Sequence, residues 1–372
     1  MKKYIINLFL ALPLLTTAQQ NYSIHATAPV YAEGTMVFLM FSKQPKFFRD
    51  SVLVNKGAVD FKGAIAEPTK AVLRIEKDGK IVDIVSFYLE PANLQIKSPD
   101  SLRHGLVTNS QLNKDYYTFQ KESGHFLQDM VGLRMQAMKM TKEELKGEPG
   151  EALNKQNRVL RDSLHERQKL FIQTHPASFL ALEMLGNYAG VYIDAREIKP
   201  MFENLSQKVR STPTGMAFAQ SLAKAEAIKI GNRAPLFVTS TPAGDSIALK
   251  QVLTQSKWVL VDFWASWCKP CRAENPNVVK AYQQFHEKGF NIISISLDKT
   301  AAPWKEAIEK DGMPWYHGSS LKGSDDTTAQ LYGVGAIPDN FLVDANGVII
   351  ARALRGKALE EKLAELDAGS KK

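Results

Sequence analysis

The feature that most restricts the fold of this chain is an almost unbroken apolar run, KWVLVDFWA, at residues 257–265. A strand with one face in water alternates apolar and polar residues, but this run has a single acid, Asp262, in its interior. It therefore predicts a strand buried on both faces. A second such run, FNIISISLD at residues 290–298, follows a stretch with helical periodicity at residues 270–287. Two buried strands joined by a helix predict a sheet covered by helices.

The rest of the C-terminal third extends this arrangement. A short helix is expected at residues 303–312, a hairpin at residues 340–353 and a closing helix at residues 357–366. The hairpin turns at Asn346-Gly347, a pair that favours tight turns because both residues tolerate positive φ. We therefore expect an α/β domain over residues 229–372, with a mixed central sheet flanked by helices.

The N-terminal segment has the organisation of a secretory signal peptide. Two lysines at residues 2–3 precede an apolar run at residues 4–15, and small residues follow at 16–18. The apolar run is shorter than the roughly 20 residues that span a bilayer. We expect a signal peptide at residues 1–18, a mature chain from Gln19 and a periplasmic location. The residue directly after the expected cleavage site is Gln19 and not a cysteine, so a lipid anchor is not expected.

Residues 19–110 predict a small antiparallel β domain, either a sandwich or a barrel. The segment contains short runs rich in β-branched and aromatic residues. Turn signals such as Asp78-Gly79 and Glu90-Pro91 separate them. No group of residues in this segment suggests catalysis. Packing, dimerisation and partner recognition stay open as its roles.

Residues 111–228 predict a helical region, because apolar residues recur there at steps of three and four. Breaks such as KGEPGE at residues 146–151 divide it into several helices. A cluster of methionines is interpreted as ordinary helix core rather than as an adaptable binding surface. Its members are Met130, Met135, Met138 and Met140.

The charge pattern argues against nucleic-acid binding. The formal net charge is +8 over 372 residues, and no dense run of lysine and arginine with interleaved aromatic residues occurs. A mildly basic, solvated surface accounts for this charge.

The chain contains only two cysteines, Cys268 and Cys271, at the junction between the predicted buried strand and the helix that follows. Exported proteins commonly use disulfides to join distant segments. A bond between these two closes a very short loop and removes little conformational entropy from the unfolded chain. A structural staple is therefore a poor explanation for the pair.

A position at a helix start favours thiolate chemistry instead. Amide donors and the positive end of the helix dipole stabilise a thiolate at Cys268, and Lys269 adds a positive charge beside it. Pro270 fits the first turn, where its missing N–H costs little. Cys271 lies one turn further in. We therefore expect Cys268 to attack a disulfide and Cys271 to resolve the mixed disulfide.

Two other uses of the cysteine pair are metal binding and peroxide reduction. A structural zinc site needs four ligands, but the chain has no third cysteine, and His286 and His317 are not at paired ligand spacing. No metal or other cofactor is therefore expected. Thiol peroxidases carry a proline and a hydroxyl residue at set positions before the reactive cysteine. The residues seven and three before Cys268 are Val261 and Ala265, so this pattern of the thiol peroxidases is missing.

Residues 261–271, VDFWASWCKPC, resemble the active-site motif of the thioredoxin superfamily, and above all that of exported thiol–disulfide oxidoreductases of the TlpA/ResA type. Residues 231–237, GNRAPLF, resemble the start of that module, and residues 335–344, GAIPDNFLVD, resemble its cis-proline segment. The resemblance covers about residues 231–370. The β domain resembles an uncharacterised domain that precedes such modules in exported Gram-negative proteins.

The resemblance implies supporting roles for four more residues: Trp267 covering the cysteines, Asp262 as a buried acid, Glu274 as an acid beside the cysteines, and Pro338 as the cis-proline opposite them. Either acid would take a proton from Cys271 or, by repulsion, raise the pKa of the thiols. Many relatives have two threonines after the cis-proline, where this chain has Asp339-Asn340. Because backbone groups beside this proline bind the substrate chain in the family, this difference bears on substrate preference.

These features predict a periplasmic thiol–disulfide oxidoreductase that reduces protein disulfides through a Cys268/Cys271 dithiol. Disulfide-containing client proteins and a membrane-embedded electron donor are the implied partners, with no nucleic acid. Homo-oligomerisation through the N-terminal region stays open. The alternatives are a scaffold or binding protein whose thiol module is auxiliary, and a thiol peroxidase.

Overall fold

The computed structural model describes residues 19–27, 31–43 and 46–369. The predicted signal peptide lies outside the described residues. Within the described part of the chain, no helix is both long and apolar enough to cross a membrane.

The chain divides into two units. Unit 1 contains the described residues up to Tyr188, together with Phe202–Ala217. Unit 2 contains Ala189–Met201 and the described residues from Phe218 onwards. A short segment from the middle of the chain thus belongs to the same unit as the two cysteines.

Two four-stranded sheets form the β part of unit 1. Their strands are β1 (Gln20–Thr27), β2 (Met36–Lys43), β3 (Lys46–Leu53), β4 (Ala58–Ile65), β5 (Thr69–Lys77), β6 (Lys80–Leu89), β7 (Asn93–Lys97) and β8 (Leu106–Val107). The strand orders are β4-β1-β7-β8 and β3-β2-β5-β6. The pairs formed by the described strands are antiparallel, except for the parallel pair of β1 and β7. That pair arises because the chain passes through the other sheet in β5 and β6 before it returns at β7.

The two sheets share one apolar core. Burial alternates along the strands, as in β5, where Ala71, Leu73 and Ile75 are buried and their neighbours are more exposed. Tyr22 of one sheet meets Phe41 of the other with their ring centroids 6.3 Å apart. The predicted small β domain is therefore confirmed, and it is a sandwich.

Helices follow the sandwich, as predicted. They are α1 (Gln111–Ala137), α2 (Lys142–Lys146), α3 (Glu148–Thr174), α4 (Phe179–Ala189), α5 (Ala195–Asn204), α6 (Gln207–Arg210) and α7 (Pro213–Ala227). The hydroxyl of Ser110 begins α1 by accepting a hydrogen bond from the Asn113 amide at 3.0 Å. The long helices α1 and α3 pack together, with the rings of Phe119 and Phe171 5.5 Å apart.

The interpretation of the methionine cluster as helix core is wrong. Met135 is 54% exposed and Met138 is 74% exposed. Leu127 and Val131, on the same stretch of α1, are also exposed. Apolar periodicity predicted a buried stripe, but among the described residues no element covers this part of it.

Unit 2 is built around a five-stranded sheet. From Val238 onwards, its strands and helices are β9 (Val238–Ser240), β10 (Ser246–Ala248), α8 (Leu249–Thr254), β11 (Trp258–Trp264), α9 (Lys269–Phe285), β12 (Phe290–Ser296), α10 (Ala301–Lys310), β13 (Tyr316–Gly318), α11 (Thr327–Leu331), β14 (Asp339–Asp344), β15 (Ile349–Arg352) and α12 (Lys357–Gly369). The order in the main sheet is β13-β12-β11-β14-β15, with β11, β12 and β13 parallel and β14 and β15 antiparallel to their neighbours. The predicted mixed sheet is confirmed.

The central strands bring the loops of the site to one edge of this sheet. Every residue of β11 and β12 is buried, as their largely apolar runs predicted. Because these strands are parallel, the loops that follow them emerge at the same edge. Strand β14 starts at this edge too, since Asp339 pairs with Phe263 near the end of β11. The loop before β14, which carries Pro338, therefore lies at the edge where α9 begins.

Candidate active site at the start of helix α9

Cys268 is the N-terminal cap of α9. Its sulfur accepts a hydrogen bond from the amide of Cys271 at 3.2 Å, in the position that a serine or aspartate oxygen usually occupies. The two cysteines form a disulfide with their Cα atoms 5.3 Å apart. The helix starts at Lys269, so Pro270 is its second residue and supplies no N–H to the site.

The disulfide is buried, whereas the residues around it are exposed. Cys268 is 4% exposed and Cys271 is 1% exposed. Trp267 is 63% exposed, and Lys269 and Pro270 also lie at the surface. A partner therefore meets Trp267 and the first turn of α9 before it reaches the sulfur atoms.

A network of hydrogen bonds holds the loop that leads from β11 to Cys268. The amide and the hydroxyl of Ser266 donate to the buried carboxylate of Asp298 at 2.9 and 2.6 Å. Ser296 donates to the same carboxylate at 2.7 Å. On the other side, Arg272 donates to the carbonyl of Ser266 at 3.2 Å and forms an ion pair with Asp311. Ser266 is thus fixed through its amide, its hydroxyl and its carbonyl.

Asp262 is buried in the middle of β11, as its apolar surroundings predicted. It lies opposite Ser294 on one side and Asn340 on the other. Its carboxyl accepts a hydrogen bond from the Ser294 hydroxyl at 3.1 Å, and that hydroxyl accepts one from Trp315 at 2.9 Å.

Burial raises the pKa of Asp262 to about 7, because the anion loses its hydration. The negative charges of Asp339 and Glu274 raise this pKa further, whereas the hydrogen bond from Ser294 and the positive charge of Arg355 lower it. The acid therefore changes charge near neutral pH, which suits a group that exchanges protons with thiols.

Glu274 holds a neighbouring loop. Its carboxylate accepts a hydrogen bond from the amide of Gly356 at 2.6 Å and one from the side chain of Asn277 at 3.1 Å. It is half-buried in the first turns of α9. These contacts tie α9 to the segment before α12, and its charge acts on Asp262.

The peptide bond between Ile337 and Pro338 is cis, as the resemblance implied. The carbonyl of Pro338 accepts hydrogen bonds from the hydroxyl of Tyr192, at 3.1 Å, and from Arg355. Asp339, the next residue, is fully buried and forms an ion pair with Arg352 at 2.8 Å. Burial raises the pKa of Asp339, and the Arg352 guanidinium opposes this.

Asn340, the second residue after the cis-proline, connects two segments of the chain. The amide group of the Asn340 side chain donates to the carbonyl of Leu354 at 2.8 Å and accepts from its N–H at 2.9 Å. Asn340 thereby joins β14 to the segment after β15.

A cavity of about 680 Å³ lies beside Trp267. The loops after β11 and β12 and the loop before the cis-proline form its walls. Ser266, Trp267, Asp298 and Ile337 are among the wall residues. Its position at the sheet edge places a largely apolar groove next to the disulfide.

Comparison with known proteins gives the family. Residues 230–352 match the AhpC/TSA family, and residues 22–116 match a domain of unknown function, DUF4369. The thiol–disulfide oxidoreductase ResA of Bacillus thuringiensis (strain Al Hakam) is 32% identical over 142 residues, which cover 37% of this chain and 76% of the relative. The chain belongs to the ResA-type thiol–disulfide oxidoreductases.

Two further comparisons accompany this one. ResA of Bacillus thuringiensis subsp. konkukian (strain 97-27) is 33% identical over 142 residues, which cover 38% of this chain and 79% of the relative. The solved thioredoxin domain of a thiol–disulfide oxidoreductase from Bacteroides vulgatus is 34% identical, covering 37% of this chain and 97% of that chain, with a TM-score of 0.35. The predicted resemblance to this family and the predicted enzyme class, a thiol–disulfide oxidoreductase, are confirmed.

The network around Ser266 in this ResA-type site was not predicted from the sequence. A role for Asp298 could have been predicted, because it is a polar residue at the carboxyl end of a buried strand, where ligands and active-site loops meet. The ion pair of Arg272 and Asp311 could not have been predicted, because 39 positions separate the two residues and neither belongs to a motif.

Asp262 is expected to lower stability as the pH rises. Its pKa in the folded protein is about 7 against an ordinary value of 3.8, so the unfolded chain releases the proton at lower pH. The free energy of unfolding therefore decreases between about pH 4 and pH 7 through this group. Asp262→Asn removes that loss, and we expect a gain on the order of 2–4 kcal/mol at about pH 8 and none at about pH 4. Urea unfolding at both pH values measures it, with the exposed Asp325→Asn as control. An equal gain at both pH values contradicts the raised pKa.

Asp298→Ala is expected to destabilise unit 2 by about 2–4 kcal/mol, because three donors from Ser266 and Ser296 lose a buried acceptor. Asp325→Ala, in an exposed turn, is the matched control and should stay within about 0.5 kcal/mol of the wild type. Urea unfolding of both variants tests this. Equal stabilities would mean that the network does not hold the loop.

Proposed function

We propose that this protein reduces protein disulfides in the periplasm, with Cys268 as the attacking thiol and Cys271 as the resolving thiol. The observation that carries the proposal is the cap geometry of α9, in which the Cys268 sulfur accepts the Cys271 amide at 3.2 Å. A sulfur at this position gains from the helix dipole as a thiolate. Family membership supports the same chemistry.

The reaction has two exchange steps. In the reduced enzyme the Cys268 thiolate attacks one sulfur of the client disulfide, which forms a mixed disulfide and releases the other client sulfur as a thiolate. Cys271 then loses its proton and attacks the Cys268 sulfur, which releases the second client thiolate and closes the Cys268–Cys271 disulfide. Two electrons pass to the client, and the enzyme ends in the oxidised form.

The supporting residues take part as follows in the proposal. Trp267 and the cis-proline loop at Pro338 bind the client chain along the adjoining cavity. Asp262 accepts the proton of Cys271 in the second step, since its pKa of about 7 lets it do so at neutral pH. Glu274 modulates that pKa. Lys269 favours the Cys268 thiolate by its charge.

The proposed location and partners follow from the chemistry and the sequence. The N-terminal segment has the features of an export signal. A protein that reduces disulfides in an oxidising compartment must be reduced again after each turnover. We therefore propose a membrane-embedded electron donor as a partner. For unit 1, which contains the DUF4369 match, the two candidate roles are homo-oligomerisation and client recognition.

Cysteine variants test the mechanism. Cys268→Ser should abolish the reduction of insulin disulfides, because the attacking sulfur is gone, while the unfolding midpoint of the reduced protein stays within the error of the reduced wild type. Cys271→Ser should hold clients as mixed disulfides on Cys268, which can be isolated on non-reducing gels. A wild type that exchanges with no disulfide substrate would favour the scaffold alternative. Rapid peroxide consumption that depends on Cys268 would favour the peroxidase.

The redox potential tests the direction of electron flow. Pro270 supplies no amide to the Cys268 thiolate, so the reduced form is less stabilised and the potential is low. We expect a value closer to about −270 mV than to about −120 mV. Pro270→Ala restores an N–H and should raise the potential, whereas Pro314→Ala, at an exposed loop, should not. Equilibration with glutathione or dithiothreitol measures each value. A wild type near −120 mV, roughly that of strongly oxidising catalysts, contradicts the reductant proposal.

A further inference from the structure

The segment Ala189–Met201 belongs to unit 2, although it precedes the residues that match the AhpC/TSA family by about 30 positions. Within this segment, Ala195 is 5% exposed and Ile198 is 2% exposed. The contacts of the segment group it with the unit that carries the disulfide, and we call it the 189–201 segment.

This segment reaches the cis-proline loop through Tyr192. The Tyr192 hydroxyl donates to the carbonyl of Pro338 at 3.1 Å. The same carbonyl accepts a hydrogen bond from Arg355. Two donors from different parts of the chain thus fix the orientation of the peptide group that follows the cis bond.

The ring of Tyr192 has a second contact. The guanidinium of Arg352 lies 5.3 Å from the centre of this ring and 4.6 Å from that of Phe341. The same guanidinium forms the ion pair with the buried Asp339. Tyr192 therefore supports both the Pro338 carbonyl and the arginine that neutralises the next residue.

The segment also touches the other end of the loop. A methyl group added at Gly335 would lie 3.1 Å from Cγ1 of Val191, closer than carbon atoms normally pack. Gly335 and Ile337 line the cavity beside Trp267. The 189–201 segment thus contacts both ends of a loop whose middle faces the proposed client groove.

We propose that the 189–201 segment positions the cis-proline loop for client binding, and that Tyr192 is the positioning residue. The inference rests on the proposed function, because it assigns the segment a role in binding the disulfide-containing chain. Tyr192 acts through Pro338 and Arg352 and takes no part in thiol exchange itself. Its loss should therefore weaken the binding of polypeptide disulfides and leave the chemistry of the cysteines unchanged.

The test compares two substrates with the full-length protein. Insulin presents a polypeptide chain to the groove, whereas hydroxyethyl disulfide is too small to need it. Tyr192→Phe removes only the hydroxyl, and we expect a KM for insulin that is higher by roughly three- to tenfold, the range of one lost hydrogen bond. The kcat for insulin and the rate with hydroxyethyl disulfide should stay within about twofold. Tyr192→Ala, which also removes the ring under Arg352, should raise KM further.

Two more variants complete the test. Tyr282→Phe is the matched control, since it removes a tyrosine hydroxyl hydrogen-bonded to His286 within the same unit, and it should leave both rates unchanged. Val191→Ala removes the contact at Gly335 and should raise KM for insulin even where a Tyr192 variant folds poorly. An unchanged KM for insulin in Tyr192→Phe, or in Val191→Ala where the former does not fold, overturns the inference. A wild type that reduces neither substrate refutes the proposed function instead.

Discussion

The sulfur of Cys268 is a helix cap only because the loop before it is held in place. A cap atom must lie within hydrogen-bond reach of an amide in the first turn, and small shifts of the loop break that contact. Ser266, two residues earlier, is fixed through three of its atoms by Asp298 and Arg272. Those partners come from the loop after β12 and from α9 itself. The reactivity proposed for the thiol therefore depends on a polar network that contains neither cysteine, and on two buried strands that bring its members to one sheet edge.

The same edge holds an unusual density of buried acids. Asp262 and Asp339 stand on neighbouring strands, and burying a charge is costly unless it is paired. The structure resolves this cost in two ways. Asp339 has Arg352 as an ion-pair partner. Asp262 accepts a hydrogen bond from the Ser294 hydroxyl, but burial raises its pKa to about 7, so it carries a proton for much of the time at neutral pH. The acid that forms no ion pair among the described residues is thus the one suited to exchange protons, and the acid paired with Arg352 maintains the loop beside the groove.

How far the sequence predicted this arrangement depends on the range of the interactions. The central strands, the helix start at the cysteines and the Asn346-Gly347 hairpin are recorded in short stretches of residues, and all were confirmed. So was the burial of Asp262, since an acid inside an apolar strand has few alternatives. The contact between Arg272 and Asp311 joins separate elements, and no local pattern indicates it. The exposed Met135 of α1 and Met138 just after it show the converse error, because apolar periodicity predicts a face but not the neighbour that covers it. The predicted domain boundaries, including the one at residue 229, stay predictions.

The match to the family and the contacts within the structure give different limits for the unit that carries the cysteines. The family match begins at residue 230. Contacts extend the unit to Ala189–Met201, and they do so at the cis-proline loop rather than at the cysteines. The hydrogen bond of Tyr192 ends at the Pro338 carbonyl and reaches neither cysteine. In the proposed mechanism, a change at Tyr192 therefore affects client binding without altering the thiols.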